Sequence, residues 1–239
     1  MPRSGMVPAR GHRLPGMGSG PEHHVIRART HGRYLVRPPA GEARGILVGF
    51  HGYAQEAAAL LADLGEVPGG EGWAVASVDA LHAFYARSAG GRPVRSWMTR
   101  DLREEAIADN AAYVADVLAR LRERFGGELP VVLVGFSQGA SMAWRAALLA
   151  GHEIAAVAAL GGDLPPELGE LPAGQPFPPS ALLARGVADE WYTAGKMEAD
   201  RLALAARGVA VATLEFPGGH EWSDPFRAAL GELLAGCAP

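Results

Sequence analysis

The chain has a single cysteine, Cys237, two residues from its C-terminus. No intramolecular disulfide can form, which fits a reducing compartment and argues against a disulfide-stapled scaffold. An excess of positive charge is also missing. The arginines are dispersed, and a formal net charge of -4 with a pI near 6.1 leaves no basic face of the kind nucleic acid requires. No stretch reaches the roughly eighteen uninterrupted apolar residues of a membrane span. The opening twenty residues, MPRSGMVPARGHRLPGMGSG, lack the apolar core of a secretory signal. These absences point to a cytoplasmic protein without a membrane span and with no nucleic-acid partner.

What is present is enough for one folded body. Apolar residues make up 49% of the chain and charged residues 20%, which suffices for a buried core and a wet surface. Residues 1–22, rich in Pro, Gly and Arg, read as a disordered tail, within which Met6 and Met17 offer alternative starts. Residues 23–239 have the length of one α/β domain. In residues 24–36 two short strands joined at His31-Gly32 are expected as an antiparallel hairpin opening the sheet. Apolar runs at 45–51, 73–79, 130–136, 154–160, 181–186 and 209–216 then read as buried strands. Segments 54–64, 102–125, 138–151, 192–207 and 221–234 carry amphipathic helical spacing. The alternation predicts an α/β fold: a mostly parallel twisted sheet with helices on both faces. The irregular stretch 162–179, with six prolines, is expected to rim a site.

Open parallel sheets bind ligands beyond the C-terminal ends of their strands, so the residues there bear the chemistry. In VVLVGFSQGASMAW, Gly135, Ser137 and Gly139 form G-x-S-x-G between a strand and a helix. The spacing suits a nucleophile elbow, in which glycines two residues to either side make room for a strained turn that exposes the serine hydroxyl. A serine needs a base, and the chain order for this fold is Ser, acid, His. Among the histidines only His220, in FPGGHEW after the last expected strand, satisfies that order. Asp163 and Asp189 compete as the acid that would orient the imidazole, and Asp189, one strand later, is preferred. For an oxyanion hole, the backbone N–H groups of Tyr53, after His51-Gly52, and of Gln138, after the serine, are the candidates. The alternative for His51-Gly52 is a plain strand-helix turn in which His51 satisfies backbone groups.

HGYAQ, GFSQGA, GVADEW and GGHEW, in this order, resemble the phospholipase/carboxylesterase branch of the α/β-hydrolase superfamily, which includes bacterial carboxylesterases and acyl-protein thioesterases. The resemblance implies a serine hydrolase acting on carboxylic esters through Ser137, Asp189 and His220, with no cofactor and no metal. It implies a small-molecule ester substrate and a homodimer as one assembly state. Thioester or lactone hydrolysis with the same triad is an alternative, as is a binding protein that keeps the fold without turnover. Members often carry Leu-Gly after the His-Gly, where this chain has Tyr53-Ala54, and the residues before Asp189 are less typical than a His-Gly turn. Phe84, Trp97 and Trp222 are candidate substrate-binding residues, with Tyr85, Met98 and Trp191 nearby in sequence; core packing is the alternative for the aromatics. Arg95 and Arg100 read as solvated surface or as a carboxylate-attracting pair.

Overall fold

Seven strands form the central sheet, in the spatial order β1-β3-β2-β6-β7-β8-β9. The computed structural model describes residues 21–86, 91–172 and 174–239. The tail expectation therefore falls, apart from residues 21 and 22, outside the described residues. Residues 21–31 form neither helix nor strand and are exposed, and the main body runs from Gly32 to Pro239.

The sheet strands are β1 (Tyr34–Arg37), β2 (Ile46–Phe50), β3 (Ala74–Val78), β6 (Val131–Phe136), β7 (Ala156–Leu160), β8 (Ser180–Gly186) and β9 (Ala210–Phe216). A separate two-stranded ribbon pairs β4 (His82–Tyr85) with β5 (Pro93–Ser96). The helices are α1 (Ala57–Gly65), α2 (Arg103–Phe125), α3 (Gln138–Leu149), α4 (Ala194–Ala205) and α5 (Asp224–Cys237). All main-sheet pairings are parallel except that of β1 with β3. The expected antiparallel strand is thus present with a different partner. Tyr34–Arg37 pairs with Val75–Val78, and the segment expected to complete a hairpin, 24–30, forms no strand. His31-Gly32 makes no hairpin turn.

Alternation along each strand divides the core in two. Ile46, Val48, Leu133, Val157 and Leu183 face α2, α3 and α4, while Leu47, Val132, Val134, Ala158 and Leu182 face α1 and α5. Both faces being covered explains why the strands read as continuous apolar runs rather than an alternating pattern.

Chain order reverses at β2, which leads to β3 on one side and lies against β6 on the other. The C-terminal ends of β2 and β6 therefore flank the switch point where such sheets open a crevice. The register Phe50↔Gly135 brings Gly52 beside Ser137. At the end of β3, the fully buried Asp79 carboxylate ties this region together. It accepts from Ala57 N–H (2.7 Å) at the start of α1 and from Arg33 Nε (2.6 Å), and it pairs with Arg95 Nε (3.3 Å) of β5. Arg95 is thus neither a solvated residue nor free to meet a ligand carboxylate, whereas Arg100 is exposed.

Removing the Asp79 carboxylate strands the largely buried Arg95 and an amide at the helix N-terminus. Asp79→Ala is expected to lower unfolding free energy by about 3 kcal/mol in urea denaturation. A loss within 0.5 kcal/mol, roughly the scale of a neutral surface change, would show that the network contributes nothing net.

Candidate functional site

Ser137 stands between β6 and α3 with φ 55° and ψ -121°, a backbone conformation that costs a non-glycine residue on the order of 1–3 kcal/mol. The surrounding backbone leaves no room for relaxation. A Cβ at Gly139 would lie 2.0 Å from the Phe50 carbonyl oxygen, and one at Gly135 would lie 2.1 Å from that of Gly139. Both glycines of the pattern are therefore required by close approach of main chain to main chain. Ser137 N–H donates to Leu160 O (2.8 Å) and Ala140 N–H to Ser137 O (2.9 Å), so the turn is pinned from β7 and from its own helix.

The Gln138 side chain adds a clamp that sequence reasoning missed. Its Oε1 accepts from Trp97 N–H (2.9 Å), its Nε2 donates to Met98 O (3.1 Å), and Ser96 Oγ lies 3.2 Å away. The only available sign was an amide side chain placed beside Ser137 at the start of a helix. Its main-chain N–H has no acceptor among the described residues, and the same holds for Tyr53 N–H. A Cβ at Gly52 would stand 3.4 Å from Ser137 Cβ, so the turn carrying Tyr53 abuts the serine. That turn is held by Gly52 N–H donating to Gln55 Oε1 (2.8 Å) and Ala54 N–H donating to Arg95 O (2.9 Å). Ala54 has φ 58°, the left-handed region where the resembling family often has glycine.

Asp189 and His220 meet across the loops after β8 and β9. His220 Nδ1 lies 2.8 Å from Asp189 Oδ2, while Asp189 Oδ1 accepts from Trp191 N–H (2.8 Å) and Tyr192 N–H (3.0 Å). Burial pushes the Asp189 carboxyl upward, but the hydrogen bonds from Tyr192, His220 and Trp191 outweigh it and hold the group below its ordinary value. The imidazole packs on Phe136, the residue before the serine, with ring centroids 4.9 Å apart. A Cβ at Gly161 would lie 3.0 Å from His220 Cε1 and 3.2 Å from Asp189 Oδ2, so the end of β7 also borders the pair. Ser137 Oγ forms no hydrogen bond among the described residues; such contacts are often long before substrate binds.

The rival acid is occupied elsewhere. Asp163 Oδ2 takes an ion pair from Lys196 Nζ at 3.0 Å, with both side chains about half exposed. His51 is fully buried: its Nδ1 meets Gly52 O (2.7 Å) and its Nε2 accepts from Ala80 N–H (3.1 Å). Burial holds its pKa below the ordinary value, so it stays neutral and shapes the turn.

The expected substrate residues separate into three cases. Trp97 is 0% exposed, donates through Nε1 to His51 O (2.8 Å) and packs edge-on against Phe50. This corrects its candidacy as a substrate contact, because a side chain with no accessible surface and a satisfied N–H is a core residue. Phe84 is half-buried and stacks on the exposed ring of Tyr53 at 5.3 Å. Trp222, also half-buried, packs against Phe136 and Phe226. Trp191 and Tyr85 are exposed. Of the stretch 162–179, Gly162 adjoins the elbow, while residues 175–179 line a cavity of about 480 Å³ with Leu148 and His152 at the far end of α3. Among its described residues, the beginning is the part that borders the elbow.

Among the described residues no group of three or more His, Cys, Asp or Glu is arranged to hold a metal, and no helix is long and apolar enough to cross a membrane.

The depressed Asp189 carboxyl predicts a pH dependence. A carboxyl with a lowered folded-state pKa stabilises fully above the unfolded value near 4, and that stability is lost as pH falls through the folded value. The stability difference between the wild type and Asp189→Asn should be level from neutral pH down to about 5 and shrink on further acidification. A pH series of urea midpoints checks this, and a difference that grows in acid contradicts it.

No curated protein sequence matches the chain. Among solved structures, esterase PE8 superposes with a TM-score of 0.70 at 24% identity, over 87% of this chain and 100% of that one. The acyl-protein thioesterase 2 of Zea mays gives 0.64 at 20% identity, over 86% and 99%. A carboxylesterase from Mesorhizobium loti gives 0.66 at 20% identity, over 86% and 95%. These likenesses carry the fold. The family model for the alpha/beta hydrolase fold matches residues 45–190, from the start of β2 through the elbow to the loop after β8, and the chain belongs to that family.

Proposed function

We propose that the protein is a serine hydrolase of carboxylic esters, of the phospholipase/carboxylesterase kind, with Ser137 as nucleophile, His220 as base and Asp189 as its orienting acid. The observation that carries this reading is the 2.8 Å contact between Asp189 Oδ2 and His220 Nδ1 beside the strained serine turn. A carboxylate accepting at Nδ1 fixes the proton there and leaves Nε2 with the lone pair that a base needs.

The reaction runs in two halves. Ser137 Oγ attacks the ester carbonyl carbon while His220 Nε2 takes the hydroxyl proton, giving a tetrahedral oxyanion. The N–H groups of Tyr53 and Gln138 receive that charge. The carbon–oxygen bond to the alcohol breaks, and the imidazolium returns its proton to the departing alkoxide. Water then attacks the acyl-enzyme with His220 again as base, releasing the carboxylic acid and restoring the serine. Asp189 stays ionised throughout; its depressed pKa supports that role. The likeness to a thioesterase keeps thioesters within the substrate range to be tested.

Ser137→Ala is expected to abolish hydrolysis of nitrophenyl esters and labelling by a fluorophosphonate while leaving the circular dichroism spectrum unchanged. Asp189→Asn should cost about 10⁴ in kcat through the wrong imidazole tautomer, and Asp163→Asn less than about tenfold. Unchanged turnover in purified Ser137→Ala, or the reverse ranking of the two aspartates, refutes the assignment. Nitrophenyl esters of graded acyl length, with a thioester beside them, would define the substrate class.

A further inference from the structure

The mechanism does not account for a nearly buried cation. Arg185, the penultimate residue of β8, has 7% side-chain exposure and lies on the sheet face that otherwise carries Ala181 and Leu183. An arginine buried among aliphatic residues is strongly destabilising unless its charge and its donors are satisfied. Glu215, its direct neighbour across the β8–β9 register, supplies the counter-charge through Nη1. The other donors go to one place, the loop that bears Asp189. Nε donates to Tyr192 O (2.8 Å), and Nη2 donates to Val187 O (3.1 Å) with a longer approach to Asp189 O (3.5 Å).

The amides of the same loop are used in a complementary way. Val187 N–H donates to Phe216 O (2.9 Å) and Ala188 N–H to Gly218 O (2.9 Å), which zips the acid loop to the segment leading to His220. Trp191 and Tyr192 N–H converge on Asp189 Oδ1. Four main-chain donors of the loop thus face the histidine loop and the carboxylate, and the carbonyls of Val187, Asp189 and Tyr192 face the guanidinium, while Trp191 O accepts from Lys196 Nζ (2.8 Å) and Asp189 N–H donates to Gly186 O (3.0 Å). With Oδ1 held in this way, Oδ2 is the oxygen left for the imidazole.

We propose that Arg185, neutralised by Glu215, is the positioning residue for the catalytic acid, a planar fork that gathers the carbonyls of the loop 187–192 and so fixes the direction of the Asp189 carboxylate. The proposal rests on the reading of Asp189 as the acid. Lysine cannot replace this fork, because one ammonium on a flexible stem does not reach carbonyls on both sides of the loop together. Arg185 touches no reacting atom. Its effect passes through Asp189, which separates it from a residue that merely stabilises the sheet.

The experiment is a cycle. Arg185→Met, Arg185→Lys and Glu215→Gln are made in the wild type and in Asp189→Asn, with nitrophenyl-ester kinetics and the rate constant of fluorophosphonate labelling as readouts. In the wild type, Arg185→Met should lower kcat and labelling by 10- to 100-fold, the scale of a catalytic group displaced by about 1 Å, with KM changed less than about threefold. Arg185→Lys should fail to restore the rate. In the Asp189→Asn background the same substitutions should slow labelling by less than about threefold, since the group they position no longer functions. Losses that multiply in that background, a defect confined to KM, or full rescue by lysine would overturn the proposal. Should Arg185→Met not fold, Glu215→Gln, on a side chain 45% exposed, decides by the same non-additivity. A wild type that does not label at Ser137 refutes the functional reading; a labelled wild type with multiplicative losses refutes only the clamp.

Discussion

Main chain pressed against main chain at the crossing of β2, β6 and α3 is the constraint on which the site depends. The start of α3 lies so close to the end of β2 that only hydrogen fits between Gly139 and the Phe50 carbonyl. That contact forces the chain to turn within one residue, and the turn can be made only with Ser137 at positive φ. The strain there is small beside the burial of the strands on either side, of which Val131–Phe136 and Ile46–Phe50 are wholly buried. The same geometry places Gln138 N–H at a helix start, where its donor has no carbonyl to meet.

Around this fixed point the remaining groups arrive from strand ends in register. The pairings Phe136↔Leu160, Leu160↔Ala184 and Gly186↔Phe216 set the C-termini of β6 to β9 side by side, so short loops bring Asp189 and His220 together. On the other side, β3 delivers Asp79, which anchors α1 and β5, and β5 in turn receives the Tyr53 turn through Arg95 O. The Gln138 side chain reaches the same segment from the elbow. Ser137 and the Tyr53 turn therefore share one scaffold, and a shift of either is resisted by the other.

Much of this was legible in the residues. Apolar runs located every strand of the parallel sheet, because β2, β3, β6, β7 and most of β8 are buried, while β9, largely exposed and bearing Thr213 and Glu215, still carries Val211, Leu214 and Phe216. The G-x-S-x-G pattern was legible because close approach admits only glycine. The two short strands of the β4–β5 ribbon were missed: HAFY and PVRS are mostly exposed or half-buried and carry no apolar signature. The opposite error occurred in residues 24–30, where β-branched residues suggested a strand although β1 finds its partner in β3. For Trp97 the two readings stayed open because an aromatic after a strand end looks the same in sequence whether it lines a pocket or supports a turn; its burial and its N–H to His51 O favour core packing. Arg185 gave no signal, since a buried cation is recognisable only once its acceptors are in place.

Two histidines at strand ends show how environment, and not residue type, decides whether a ring is held as support or left free at one nitrogen. Both follow strands, and both have Nδ1 beside an oxygen. His51 Nδ1 faces a carbonyl, which can only accept, so that nitrogen carries the proton and Nε2 accepts from Ala80 N–H. With both nitrogens engaged and no exposed surface, His51 has no lone pair to offer and no room to gain a proton. His220 Nδ1 instead faces a carboxylate, which can stabilise a positive ring, and among the described residues its Nε2 has no partner. Its side chain keeps 24% of its surface open. A ring that is oriented, charge-compensated and unengaged at one nitrogen meets the requirements of a base beside Ser137, and those requirements exclude His51 although it stands next to the same turn.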